Sequence, residues 1–285
     1  MLFRSGHLSE VVATELADSR QVVIKTRPSG PRIAGCTAVQ RHLARAGFPC
    51  PEPLTAPVEA DGLTITAETL VAGGSQLPPE DGAAPFAALL ARLVSSAPGP
   101  ADVPSLAPSP PWTGWDHPGD RLWPDRDDRG RDLNNCPGPA WVDDAARHVR
   151  GKLRASAAPA CVGHGDWESQ NIRWSEGRPL AVHDWDSVIA QPETAIVGLA
   201  AAVWPAAGAP GEAASIAQSA DFIACYQQAA GRQWTDREVQ DAWAAGLWVR
   251  LFNAKKDAAD GGGPQLDRLA DEISGRLALA ALDNG

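Results

Sequence analysis

Lysine is scarce in this chain: four residues against twenty-one arginines, with one methionine and one tyrosine among 285 residues. Basic charge is short overall, since 35 acidic residues bring the formal net charge to −10. That balance argues against a nucleic-acid partner, which needs a basic footprint, and suits a cationic small molecule attracted over long range. The five cysteines, Cys36, Cys50, Cys136, Cys161 and Cys225, form no CxxC pair and no close Cys/His set, so neither a zinc site nor a disulfide framework is indicated. Long apolar runs are missing too. The longest, Ala195 to Pro210, is broken by Gly198, Pro205 and Gly208, and reads as a buried helix rather than a membrane span. The stretch MLFRSGHLSE has one basic residue and no apolar signal-peptide core, so a cytoplasmic location without membrane contact is expected.

What is present is enough apolar content, 44%, to bury a sizeable core, and enough length for two lobes of unequal size. EVVATEL and RQVVIKT are β-branched runs separated by Ala17-Asp18-Ser19, the pattern of a hairpin. AVQRHLARAGFP follows, with Val39, Leu43 and Ala46 at helical spacing and Gly47 as its stop. LTAPVEADGLTITAETLV predicts a second hairpin turning at Asp61-Gly62. Ala72 to Pro79, with Gly73, Gly74, Pro78 and Pro79, reads as a linker. Beyond it helical patterns dominate: Phe86 to Leu93, Trp141 to Leu153, Val197 to Val203, Ser215 to Ala229, Val239 to Phe252 and Leu266 to Leu282. One further strand pair, NIRW and PLAVHDW, turns at Ser175-Glu176-Gly177. Residues 98 to 140, rich in Pro, Trp, Asp and Arg, show no period, and a loop of that length is usually functional or mobile.

The residues that carry chemistry lie around that last hairpin. VGHGDWESQNIRW followed by PLAVHDWDS puts His164, Asp166, Asn171 and Asp184 in two short loops. Phosphoryl transfer needs these residue types: a carboxylate to accept or orient the proton of an acceptor hydroxyl, and an amide oxygen with a second carboxylate to hold Mg²⁺ against a triphosphate. Asp166, Asn171 and Asp184 can fill those roles in that order. Lys25 ends an apolar strand far upstream, where a compact ammonium can pair with phosphates. Trp167 and Glu168 directly follow Asp166, and an aromatic face with a carboxylate would suit an amine or a sugar ring. Asp186 either assists metal or acceptor binding or caps a turn. His164 reads as a hydrogen-bonded structural residue that braces the loop.

Taken together these motifs resemble the aminoglycoside phosphotransferase and choline kinase superfamily, whose fold is related to protein kinases. HGDWESQN is similar to that group's catalytic loop, where protein kinases carry Arg in place of Gly165. The resemblance implies an α+β, two-lobed kinase-like fold, with residues 1–73 as a β-rich N-lobe and 74–285 as a larger, mainly helical C-lobe. It implies Asp166 as catalytic base, Asn171 and Asp184 as metal ligands, Lys25 as the phosphate contact, and ATP or GTP as donor with Mg²⁺. The nucleotide base is expected against the linker backbone near Glu68 to Leu70, with Ser9, beside Ser5 and Gly6, as a phosphate contact. The acceptor is expected to be a hydroxyl of a small molecule, an aminoglycoside-like antibiotic or an amine or sugar metabolite, with the net acidity, Glu168 and Asp186 pointing to a cationic or amine-bearing one.

Two departures from the pattern stand out. The helix that carries a lysine-pairing glutamate in related kinases reads RIAGCTAVQRHLARAG here, with Cys36 nearest that position. RSGHLSEVV also contains no GxGxxG. Lys25 is therefore expected to meet a carboxylate from outside that helix, with Glu52, Glu10, Glu15 or Asp184 as candidates. The rival reading is a catalytically silent nucleotide- or ligand-binding protein of the same fold.

Overall fold

The computed structural model describes residues 3–5, 9–76, 82–209 and 211–282. Gly6, Pro78 and Pro79, named above for the phosphate loop and the linker, lie outside the described residues. Strands β1 (Phe3–Ser5), β2 (Glu10–Glu15), β3 (Gln21–Pro28), β4 (Val58–Ala60) and β5 (Leu63–Thr69) form one antiparallel sheet in the order β1-β2-β3-β5-β4, and helix α1 (Ile33–Arg45) leaves from the end of β3. Both expected hairpins are there. Ala60 pairs with Leu63 across Asp61-Gly62, whose φ values of 51° and 75° are the positive pair that a tight hairpin turn requires. Alternation along the ladder puts Val23, Lys25 and Arg27 on one face with Thr64, Thr66 and Glu68 of β5.

The rest is mainly helical: α2 (Ala84–Ser96), α3 (Ala140–Arg154), then β6 (Ala160–His164), β7 (Ile172–Ser175), β8 (Arg178–Val182) and β9 (Val188–Pro192), and finally α4 (Glu193–Val203), α5 (Ile216–Ala230), α6 (Asp236–Ala259) and α7 (Pro264–Leu279). This is the two-lobed α+β kinase-like architecture. β7 and β8 form the hairpin the sequence predicts. β6 and β9 also pair, His164 opposite Val188, which no local turn signal announces because the intervening chain holds both functional loops. No helix among the described residues is long and apolar enough to cross a membrane. The apolar run starting at Ala195 is α4, buried from Thr194 to Val203.

The aperiodic stretch before α3 is held by side chains in place of a ladder. Arg150 of α3 donates to the carbonyls of Trp115 (3.0 Å), His117 (2.8 Å), Gly119 (2.8 Å) and Arg121 (2.9 Å), which satisfies loop backbone that would otherwise need water. Its Asp/Arg run is paired both internally, Arg121 with Asp132 at 2.5 Å and Arg131 with Asp127 at 2.8 Å, and to α6 and the residue after it, Asp128 with Lys256 at 2.6 Å and Arg129 with Asp260 at 3.0 Å.

The core depends on a close crossing of α4 and α6. A Cβ at Gly198 would stand 1.9 Å from the Ala242 carbonyl oxygen, and one at Gly246 would stand 2.7 Å from the Gly198 oxygen. Gly198→Ala is therefore expected to lower stability by about 3 kcal/mol or more through overpacking. Gly151→Ala, on α3 with nothing within 4 Å of the new methyl, should raise it by roughly 0.5–1 kcal/mol through helix propensity. Denaturant unfolding of the two variants checks the pair, and equal effects would contradict the crossing.

Candidate active site

β6 carries its last residue, His164, into the core, where it is fully buried. The ring Nδ1 accepts the Asp166 backbone N–H at 3.2 Å, so Nε2 holds the proton and donates to the His183 carbonyl at 3.1 Å. One neutral imidazole thus ties the loop after β6 to the end of β8. Burial, outweighing the nearby Asp184 charge, keeps its pKa below the usual histidine value. Gly165 allows the two loops to touch: its N–H donates to the Ser187 carbonyl at 2.7 Å, and a Cβ there would meet Thr113 at 3.0 Å and Ile189 at 3.1 Å. Its own carbonyl accepts from the Trp112 indole at 2.9 Å, which fastens the long aperiodic segment to the site.

Asp166 and Asn171 face each other inside this loop. The Asn171 amide nitrogen donates to the Asp166 carboxylate at 2.8 Å and to its backbone carbonyl at 3.0 Å, leaving the amide oxygen turned away from Asp166. Asp184 follows β8 in the left-handed region, φ 60° and ψ 50°, and accepts from the Ser187 hydroxyl at 2.7 Å. A non-glycine residue in that conformation is uncommon and persists where its surroundings hold it. Burial, then the charges of Glu168 and Asp184, push the Asp166 carboxyl well above the usual carboxylate range. Glu168 is pushed up to about 7 by its burial, against the lowering effect of a hydrogen bond from Gln170. Carboxylates are thus crowded into one half-buried place. Among the described residues no three His, Cys, Asp or Glu side chains converge as a ready-made metal cluster. The oxygen donors present, the Asp184 carboxylate and the Asn171 amide, are of the hard type that leaves most of a cation's shell to phosphate and water.

Across the cleft, Lys25 meets Glu68 at 3.0 Å, an acid outside α1 and outside the candidates named from the sequence. Burial works against this ammonium, but Glu68, with Asp186 and Asp184 beyond it, holds the pKa above the ordinary lysine value. Glu68 gives its side chain to Lys25, the Leu70 N–H donates to the Gln21 carbonyl at 3.0 Å, and both residues line the cleft. Two expectations need correction. Trp167, expected beside an acceptor, is 1% exposed, donates its indole N–H to the Phe86 carbonyl of α2 at 3.1 Å and packs edge-on against the His164 ring at 5.7 Å, so it belongs to the core. Asp186, also expected at the acceptor, turns instead to Arg27 of β3 at 2.9 Å. Arg27 and Gln40 were missed by sequence reading. The alternation of β3 offered a signal for Arg27, which shares a face with Lys25.

Lys25, Glu68, Asp166, Asn171 and Asp184 line a cleft of about 1270 Å³ that also includes Ser9, the Thr69 to Gly73 segment, Glu168, Asp128 and Lys256. It is large enough for two small ligands side by side. Residues 1–231 match the sequence profile described as the phosphotransferase enzyme family. The chain belongs to that family. It is a kinase-like phosphotransferase that acts on an alcohol group of a small molecule, with the family's two-lobed fold. No curated protein matches it in sequence. Among solved structures it is similar to the amicoumacin kinase hAmiN in complex with AMP-PNP, Ca²⁺ and Ami, with TM-score 0.63 and 12% identity over 97% of this chain and 86% of that one. A thermostable mutant of the aminoglycoside phosphotransferase APH(4)-Ia, in a ternary complex with ADP and hygromycin B, gives 0.61 and 17% over 99% and 94%. A choline/ethanolamine kinase family protein from Mesorhizobium loti gives 0.55 and 18% over 98% and 91%.

Within this family site, Glu168 has a measurable signature. A carboxyl whose pKa rises from 4.5 unfolded to about 7 folded stabilises the fold below 4.5, and that contribution is lost as pH rises through about 7. Glu168→Gln cannot ionise, so its melting temperature relative to the wild-type chain should climb between pH 4.5 and about 7 and then level off. Paired thermal melts across that range check this, and a difference independent of pH would count against it.

Proposed function

We propose that this phosphotransferase moves the γ-phosphate of ATP or GTP, with Mg²⁺, onto a hydroxyl of a small amine-bearing molecule in the cytoplasm. An aminoglycoside-like antibiotic or an amine or sugar metabolite fits that description. The observation that carries the reading is the meeting of Asp166, Asn171 and Asp184 on one wall of the cleft with the Lys25–Glu68 pair on the other. The rival reading, a silent binding protein, rests on the missing helix glutamate and the absence of a GxGxxG loop, and Glu68 answers the first of these by giving Lys25 a carboxylate. The five cysteines are free thiols, in keeping with a reducing compartment.

In this mechanism Asp166 accepts or orients the proton of the acceptor hydroxyl. Asn171 fixes the Asp166 carboxylate and directs its own amide oxygen toward the phosphates with Asp184. Bound Mg²⁺ would neutralise charge on the transferring phosphoryl group. Lys25 pairs with the phosphates from the sheet side. The base lies along the Leu70 to Gly73 backbone, with Ser9 near the phosphates, since these residues line the same cleft.

For the acceptor, the acids at the outer end of the cleft separate by their partners. Asp128 pairs with Lys256 at 2.6 Å, and Asp260 with Arg129 at 3.0 Å. Glu212 accepts backbone N–H groups of Ala207 and Ala209. Glu168 accepts from a neutral side chain, Gln170, and stands two residues from Asp166. It is the group we assign to an acceptor ammonium. Relatives named for aminoglycosides and for choline or ethanolamine support an amine-bearing alcohol.

Asp166→Asn is expected to leave nucleotide binding intact and to lower turnover roughly 10²–10⁴-fold. Asp184→Ala should abolish, and Asn171→Ala weaken, the Mg²⁺-dependent tightening of nucleotide binding measured by calorimetry. A panel of amines, aminoglycosides and neutral sugars, assayed with ATP and GTP at two salt concentrations, identifies the acceptor. Its KM should rise with salt, and a neutral or anionic preferred acceptor would remove the Glu168 assignment.

A further inference from the structure

In kinases the phosphate-binding lysine is aimed by a carboxylate on the neighbouring helix. Helix α1 has no acid along its whole length, IAGCTAVQRHLAR. Cys36 cannot serve as the anion, since burial pushes its thiol up to about 11 and its Sγ faces the Asp186 carbonyl at 3.8 Å. The work falls to two other residues. Glu68 places one carboxylate oxygen 3.0 Å from the Lys25 ammonium, and its other oxygen accepts from the Gln40 amide at 2.9 Å. The same Gln40 nitrogen donates to the Pro51 carbonyl at 2.9 Å, just beyond the helix. Both side chains are buried, Glu68 being 7% and Gln40 5% exposed.

We propose that Glu68 and Gln40 are positioning residues for Lys25 that together replace the missing helix carboxylate, Glu68 aiming the ammonium and Gln40 holding Glu68 from α1. This rests on Lys25 being the phosphate contact. The geometry explains the choice of residue types. Val23 pairs with Glu68 and Lys25 with Thr66, so Glu68 and Lys25 are diagonal neighbours on one face of adjacent strands, within reach of each other's long side chains. The ion pair is therefore internal to the sheet, and α1 contributes only the neutral Gln40 amide that holds Glu68. An amide suits position 40 because a second carboxylate would set two negative charges against one buried ammonium. Gln40 completes the hydrogen bonding of Glu68 without adding charge.

The test is binding of AMP-PNP with Mg²⁺ to the full chain by calorimetry, for Lys25→Ala, Glu68→Gln, Gln40→Leu and their double mutants, with thermal melts to confirm folding. Glu68→Gln is expected to weaken binding about ten- to a hundredfold, as for loss of a charge-assisted hydrogen bond. It should add nothing in the Lys25→Ala background, because it acts through that lysine. Gln40→Leu, which leaves both charges in place, should weaken binding by about threefold and have no effect once Glu68 is Gln. It serves as the deciding variant where Glu68→Gln does not fold. Effects of Lys25→Ala and Glu68→Gln that add in full, or wild-type affinity in Glu68→Gln or in Gln40→Leu, would overturn the proposal while leaving the phosphate contact standing. Wild-type affinity in Lys25→Ala would remove the phosphate contact itself, and this proposal with it.

Discussion

Lys25 and Arg27, two residues apart on β3, send two positive charges from the sheet toward a crowd of half-buried carboxylates. Asp166, Glu168 and Asp186 all have raised pKa values, with burial as the first cause in each. Glu68 takes up the charge of Lys25 within the sheet, and Asp186 meets Arg27, so one ion pair fastens the sheet to the loop after β8. Arg32, at the start of α1, adds a hydrogen bond to the Val188 carbonyl. The cost of burying these charges is met only while their partners stay in place. The cleft between the lobes therefore inherits its geometry from two cations on one strand.

The opposite wall is rigid for a different reason. His164 links the loop after β6 to the end of β8, the Gly165 N–H reaches across to Ser187, and Trp112 holds Gly165 from the long aperiodic segment. None of these contacts belongs to a regular ladder. They are side-chain and turn hydrogen bonds, most of them buried, where a missing partner costs the full desolvation of the group left behind. That is why Asp166 and Asp184 can be held close together despite their mutual repulsion. The segment before α3 is likewise ordered with only short 3-10 turns and no strand or α-helix, since Arg150 collects its carbonyls beneath it.

Beneath both loops, α4 and α6 cross at glycine distance and give the site a base that yields little. α4 follows β9 directly, and β9 pairs with β6, the strand that delivers His164. A disturbance at Gly198 is thus one strand away from the catalytic loop, and the stability of the core and the geometry of the cleft are coupled through that strand.

Local patterns were readable directly from the sequence. The hairpins of β2–β3, β4–β5 and β7–β8 follow from β-branched alternation and turn residues, the helices from apolar spacing, and the phosphotransferase chemistry from the residue types in HGDWESQN and HDWDS. These are short-range signals, set by backbone preference and by side chains close in sequence. Only the tertiary structure decided the partner of each charge. Glu68 instead of a helix acid, Arg27 against Asp186, Trp167 turned into the core and Gln40 behind Glu68 all join residues far apart in the chain, or depend on which side of a loop faces the apolar interior. A sequence states that a carboxylate is present, but its partner is set by burial and register, because an ion pair forms where two distant elements leave opposite charges together out of water.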